Sequence, residues 1–256
     1  MFEINKKIQI ITTSPFYSFV IKDFLNEDFY KKLQIDLKEI EQDLNFFKES
    51  NVRKYNITSE MKEYNNFINK KTSFKELDRI VFKNDFAKEF INYFILNCIK
   101  SNRDKPISLI KLIKPKYFSQ KRGISIKDIF LTKIKTNIQY SFIGNGGLIK
   151  PHVDSNRKLI SLMLYFPEYN VSDIFFNKEK EIGTTFWDSN FKNMKNLHLE
   201  HDEINKKYKM KKMFFNTFDK NNLYGFIKNN YSWHSVERIA MHKKYYRKSI
   251  NINFLY

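Results

Sequence analysis

Three residues in the second half of the chain carry the donor types of a metal site. His152 and Asp154 stand two apart in His152-Val153-Asp154, and His234 follows about eighty residues later, beside Trp233. On a strand, residues two apart leave the same face, so one imidazole and one carboxylate can converge on a single ion. His234 has to be delivered by another part of the fold. Two neutral imidazoles and a carboxylate fill half of an octahedron and leave the remaining positions open, which suits a divalent iron that binds reagents. Further on, the stretch Arg247-Lys248-Ser249-Ile250-Asn251-Ile252-Asn253-Phe254 is polar at 247, 249, 251 and 253 and apolar at 250, 252 and 254. A strand of that pattern turns one face to a polar pocket and the other to a core. From the polar face, the planar Arg247 guanidinium can hold a carboxylate through two parallel hydrogen bonds, and the Ser249 hydroxyl can add a third.

Taken together, His152-Val153-Asp154, the distal His234 and Arg247-Lys248-Ser249 resemble the HxD, H and RxS pattern of the 2-oxoglutarate and Fe(II)-dependent dioxygenases. The flanking residues resemble the prolyl-hydroxylase-like branch: Tyr140, the turn Gly144-Asn145-Gly146-Gly147, the apolar run from Leu159 to Phe166, and Trp233-His234-Ser235-Val236. The resemblance covers residues from about 130 to 256. It implies a double-stranded β-helix, or cupin-like jelly roll, with Fe(II) on His152, Asp154 and His234. The far carboxylate of 2-oxoglutarate would lie on Arg247, with Ser249 and Tyr140 assisting. O2 is then the second cosubstrate, ascorbate a candidate reductant, and the reaction hydroxylation of a C–H bond with release of succinate and CO2. Halogenases of this superfamily lack the carboxylate ligand, so Asp154 favours hydroxylation.

Other motifs carry less. Gly144-Asn145-Gly146-Gly147 is not a phosphate cradle, because such loops open a helix whose N-terminus faces the anion. Here Pro151 and the HxD strand follow, as suits a turn into a strand start where a missing N–H is tolerated. His198 and His201 form an H-x-x-H pair in a lysine-rich stretch without cysteine partners, and read as a solvated loop or short helix. His242 reads as an exposed turn.

Composition bounds the classes. With 256 residues, 42% hydrophobic and 17% aromatic, the chain has ample material for a core and is not disordered. No run is apolar for long enough to span a bilayer, and the N-terminus lacks a secretory signal. One cysteine, Cys98, excludes an intrachain disulfide and fits a reducing cytoplasm. The net charge of +18 would ordinarily suggest a polyanionic partner. Yet only seven of the 46 basic residues are arginine, in a chain also heavy in Asn, Ile, Phe and Tyr. A genome rich in A and T would produce that charge without selection for binding. The expected partner is therefore a small molecule or a peptide side chain. A nucleic-acid demethylase of the same superfamily and a non-catalytic metal-binding jelly roll are the alternatives.

The elements that must position these residues follow from periodicity. The class expected is mainly β with α, in a single domain: a mainly helical part over 1–130 and a jelly-roll core over 131–256. Asn26 offers an N-cap for a helix running to about Phe47. A second helical stretch is expected from Phe74 to Lys100, its stripe packed on Ile250, Ile252 and Phe254. Strands are expected at Thr132–Ile143, Leu159–Phe166, Thr184–Trp187, Met213–Phe218, Leu223–Ile227, Ser232–Arg238 and Tyr246–Phe254. The segment 168–212 reads as an insertion that covers the iron site.

Overall fold

Alternation along the last strand, polar at 247, 249, 251 and 253 and apolar at 250, 252 and 254, gives one of two mainly antiparallel sheets a polar inner and an apolar outer face. The computed structural model of the chain describes residues 7–51, 53–101, 116–118, 133–168, 182–192, 198–240 and 245–256. Its strands are β1 (Ile8–Thr12), β2 (Ser18–Ile21), β3 (Lys48–Asn51), β4 (Lys54–Thr58), β5 (Lys116–Phe118), β6 (Lys133–Gly144) and β7 (Ile149–His152). Then come β8 (Lys158–Tyr165), β9 (Thr184–Asp188), β10 (Lys211–Asn216), β11 (Leu223–Ile227), β12 (His234–Val236) and β13 (Tyr246–Leu255). The large sheet has the order β1-β2-β11-β8-β13-β6-β4-β3, with β5 beside β6, and the small sheet the order β10-β9-β12-β7. From β6 onward the chain winds between the two: β6, β8, β11 and β13 lie in the large sheet, and β7, β9, β10 and β12 in the small one. Eight strands wound so across two sheets form a double-stranded β-helix.

The strands over the C-terminal half fall at the expected places, and the described residues of the first half carry strands β1 to β5 beside their helices. Helix α1 (Glu27–Ile40) starts as expected, the Asn26 side chain accepting from the N–H groups of Asp28 and Phe29. It ends at Ile40 rather than near Phe47. A turn then buries Phe47 against Phe67 and Phe142, and the hairpin β3–β4 extends the large sheet past β6. The stretch from Phe74 to Lys100 is broken into α3 (Thr72–Val81), α4 (Asn84–Tyr93) and α5 (Ile95–Lys100), preceded by α2 (Tyr64–Ile68). Two breaks let one apolar stripe follow a twisted sheet. Phe86 and Phe90 meet Phe254 with ring centroids 6.0 and 5.7 Å apart, the packing expected for β13.

The helices and the outer face of the large sheet share one apolar cluster that includes Leu33, Phe67, Phe74, Phe90, Ile138, Phe142, Leu162, Ile250, Ile252 and Phe254. Gly225 on β11 makes room for Phe19, since a Cβ there would lie 2.2 Å from the ring. Lys248 also points to this side, where it is fully buried and paired with Glu41 (2.6 Å) and Glu168. A second cluster lies between the sheets, and a third, with Val153, Trp187 and Trp233, packs behind the small sheet against Ile204 of α6 (His201–Lys206). No helix among the described residues is long and apolar enough to cross a membrane.

Of the segment 168–212, residues 169–181 and 193–197 lie outside the described residues, as does His242. What is described there is not a continuous loop: it supplies β9, the short helix α6 and the start of β10.

Candidate active site

The two histidines meet because their strands are neighbours. His234 on β12 stands directly opposite His152 on β7, and the ring centroids are 4.3 Å apart. Pro151 is tolerated within β7 because β7 is an edge strand. The strand ends at His152, so Asp154 is not on it as its spacing suggests but lies in the turn into β8. Two hydrogen bonds from β8 fix the carboxylate there: Lys158 Nζ donates to Oδ1 at 2.7 Å and Ser161 Oγ to Oδ2 at 2.8 Å. The ligand atoms of His152, Asp154 and His234 all lie within 4.8 Å of one another.

The tautomers are set by the backbone. His152 Nδ1 lies 2.8 Å from the Lys150 carbonyl and His234 Nδ1 lies 3.0 Å from that of Ser232. A carbonyl only accepts, so each Nδ1 carries the proton and each Nε2 offers a lone pair. Burial, reinforced by the neighbouring His234, lowers the His152 pKa to about 3. Burial likewise lowers that of His234, against the pull of Asp154 and the Ser232 carbonyl. Burial alone would raise the Asp154 carboxyl, but Lys158 and the two imidazoles outweigh it and hold the group below the usual carboxylate range. At neutral pH the cluster is thus two neutral imidazoles and one carboxylate, three acceptors facing each other.

These groups line a cavity of about 190 Å³ whose floor is the inner face of the large sheet, with Gln139, Ser141, Arg247, Ser249, Asn251 and Asn253. Arg247 is buried; its Nε donates to the Ile182 carbonyl, and its Nη2 lies 3.4 Å from both the Gly183 carbonyl and Thr184 Oγ1. The guanidinium lies 4.9 Å from the Tyr165 ring centroid and 5.6 Å from that of Phe218. Among the described residues no carboxylate forms an ion pair with it. Burial draws its pKa down, yet an arginine stays charged under these conditions.

Tyr140 is the correction. It sits on β6 between Gln139 and Ser141, which face the cavity, and alternation therefore turns it outward. Its ring packs on Phe67 and Phe74, and its hydroxyl, fully buried, has no partner among the described residues. It does not reach the cavity. Conversely, His198 is not merely part of a solvated loop: it bridges to His152, stacks on that ring at 5.1 Å and lines the cavity mouth. Lys158, Ser161 and Gln139 also belong to the site. Ser161 was discoverable from the sequence, since it shares the inward face of β8 with Met163 and Tyr165; Lys158, of the opposite parity, was not, because the register with β13 shifts between Ile160 and Lys158. Lys54 was not, because it enters from β4, outside the eight barrel strands.

No protein-family model and no curated protein matches the chain. Among solved structures it is similar to a Pseudomonas putida prolyl-4-hydroxylase (TM-score 0.47, 9% identity, 94% of each chain covered). It is also similar to HygX from Streptomyces hygroscopicus with nickel, 2-oxoglutarate and hygromycin B bound (TM-score 0.47, 7% identity, 93% of this chain and 82% of that one). A third similar structure is OsALKBH1 (TM-score 0.41, 11% identity, 93% and 97% covered). The double-stranded β-helix is established by the strand order itself.

Proposed function

We propose that this chain is a 2-oxoglutarate-dependent Fe(II) oxygenase that hydroxylates a C–H bond of a small molecule or peptide side chain. One observation carries the reading: a His-Asp-His cluster and an arginine without a carboxylate partner among the described residues open into the same cavity. The donor set fits a divalent iron. Each imidazole is held by a carbonyl through Nδ1 and presents Nε2, the carboxylate is anchored by two donors, and three acceptors converge where a cation would relieve their repulsion. His152, Asp154 and His234 would hold the iron, which when bound supplies the oxidising chemistry with 2-oxoglutarate and O2.

The chain's own residues supply orientation and dryness. Arg247 faces the polar side of β13 and would pair with the far carboxylate of 2-oxoglutarate, with Ser249 next along the same face. Lys158 and Ser161 hold the Asp154 carboxylate in one rotamer, so that the ligand keeps its place when reagents exchange. Phe226 and Val236 form an apolar wall that limits water beside the cluster.

The test is anaerobic. Fe(II) and then 2-oxoglutarate are added to metal-free protein, and the visible charge-transfer band of a chelated keto acid is followed. The band is expected in the wild type, to be absent in His152→Ala, and to require more cosubstrate in Arg247→Ala. Metal binding without any band would sink the oxygenase reading.

A further inference from the structure

Lys54 lies outside the barrel strands, yet its side chain lines the cavity. In the large sheet it shares a row with Ile143 and Arg247. Two strand spacings of about 4.8 Å therefore put its backbone roughly 10 Å from that of Arg247, on the opposite flank of β6. Among the described cations of the cavity, Lys158 is engaged by Asp154 at 2.7 Å and Arg247 by the carbonyls of Ile182 and Gly183. Lys54 has no ion-pair or hydrogen-bond partner for its ammonium among the described residues. Burial, with repulsion from Lys158 and Arg247, lowers its pKa to about 8 against the pull of Asp154. Gln139 and Asn251, paired across β6 and β13 on the cavity floor, likewise have no side-chain hydrogen bond among the described residues. All three side chains are half-buried and line the cavity, where a ligand can reach them.

Charge points to the kind of partner. Among the described residues, Lys54, Lys158 and Arg247 line the cavity with a single carboxylate, Asp154. A divalent ion and a dicarboxylate cosubstrate neutralise each other, which leaves the cavity cationic and Lys54 as the cation not yet engaged. We propose that Lys54, with the amides of Gln139 and Asn251, forms the recognition end for the molecule to be oxidised, and that this molecule is a small polar acid bearing a carboxylate or a phosphate. The anion site stands on this geometry, and only its role in substrate choice rests on the oxygenase reading.

The experiment uses zinc-loaded protein saturated with 2-oxoglutarate and carrying labelled lysine and side-chain amides. NMR follows a titration with inorganic phosphate and, separately, acetate, against chloride of equal ionic strength. A saturable shift of the Lys54 signal and of the Gln139 and Asn251 amides is expected with either anion and not with chloride. In Lys54→Met, the apparent affinity read on the amides is expected to be about tenfold weaker, the scale of one lost charge-assisted hydrogen bond. Lys54→Arg should retain it. Equal shifts with chloride, or unchanged affinity in Lys54→Met, would overturn the proposal. So would an anion-induced shift of Lys54 that is seen only when 2-oxoglutarate is left out, which would assign Lys54 to the cosubstrate. If 2-oxoglutarate fails to bind while phosphate still moves Lys54, the oxygenase reading falls and the anion site survives.

Discussion

The two faces of β13 show how one strand serves two purposes. Outward, Ile250, Ile252 and Phe254 are fully buried against the helices, together with outward-facing residues of β6 and β8. Inward, Arg247, Ser249, Asn251 and Asn253 line a cavity in which Asn251, like Gln139 beside it, has no side-chain hydrogen bond among the described residues. The outer face is satisfied by its neighbours, so its residues determine stability. Much of the inner face awaits a partner, so its residues determine binding, and losing them should leave the fold nearly unchanged. Lys248 is the exception that defines the rule: a charge on the outer face is tolerated only because Glu41 and Glu168 reach it.

Substitutions on the two faces should therefore separate stability from chemistry. The largest effect on function is expected from His234→Ala, which should abolish metal-dependent turnover, measured as succinate release, while leaving the circular dichroism spectrum unchanged. Unfolding of that variant would break the distinction between the faces. Phe254→Ala, on the other side of the same sheet, should lower unfolding free energy by about 3–5 kcal/mol in denaturant titration, the usual range for a buried phenylalanine. Its metal affinity, measured on the protein that remains folded, should not change. Arg247→Ala should weaken 2-oxoglutarate by about a hundredfold, within the range for loss of one partner of a buried charge pair; calorimetric titration provides the check, and normal affinity would contradict the assigned role. Smallest of all is Tyr140→Phe. Removing a hydroxyl without a partner should shift unfolding free energy by less than about 1 kcal/mol. Cosubstrate affinity should stay the same, and a marked loss would return Tyr140 to the cavity.

Much of this was legible in the residues. The period-two pattern from Arg247 to Phe254 indicated which face would be polar, because alternation on a strand is a local property. The same rule, applied to β6, would have excluded Tyr140 once Gln139 and Ser141 were taken as inward; a motif whose distance from the histidine varies could not supply that parity. The Asn26 cap was legible too, being a contact within three residues, whereas the end of α1 was not. It is decided by a hairpin that pairs with β6, more than eighty residues away.

The sequence by itself determined the donor types, the alternation of the barrel strands and the apolar material of the core, since each depends on residue chemistry or on spacing along the chain. Only the tertiary structure decided that His234 stands opposite His152, that His198 stacks on that ring, that Asp154 is held from β8, and that Lys54 enters the cavity from a strand outside the barrel. Apart from the hold on Asp154, which comes from residues four and seven positions on, those are cross-strand relations, set by pairing between segments far apart in the chain. A shift of one residue in the pairing of β12 with β7 or of β4 with β6 would turn His234 or Lys54 to the other face.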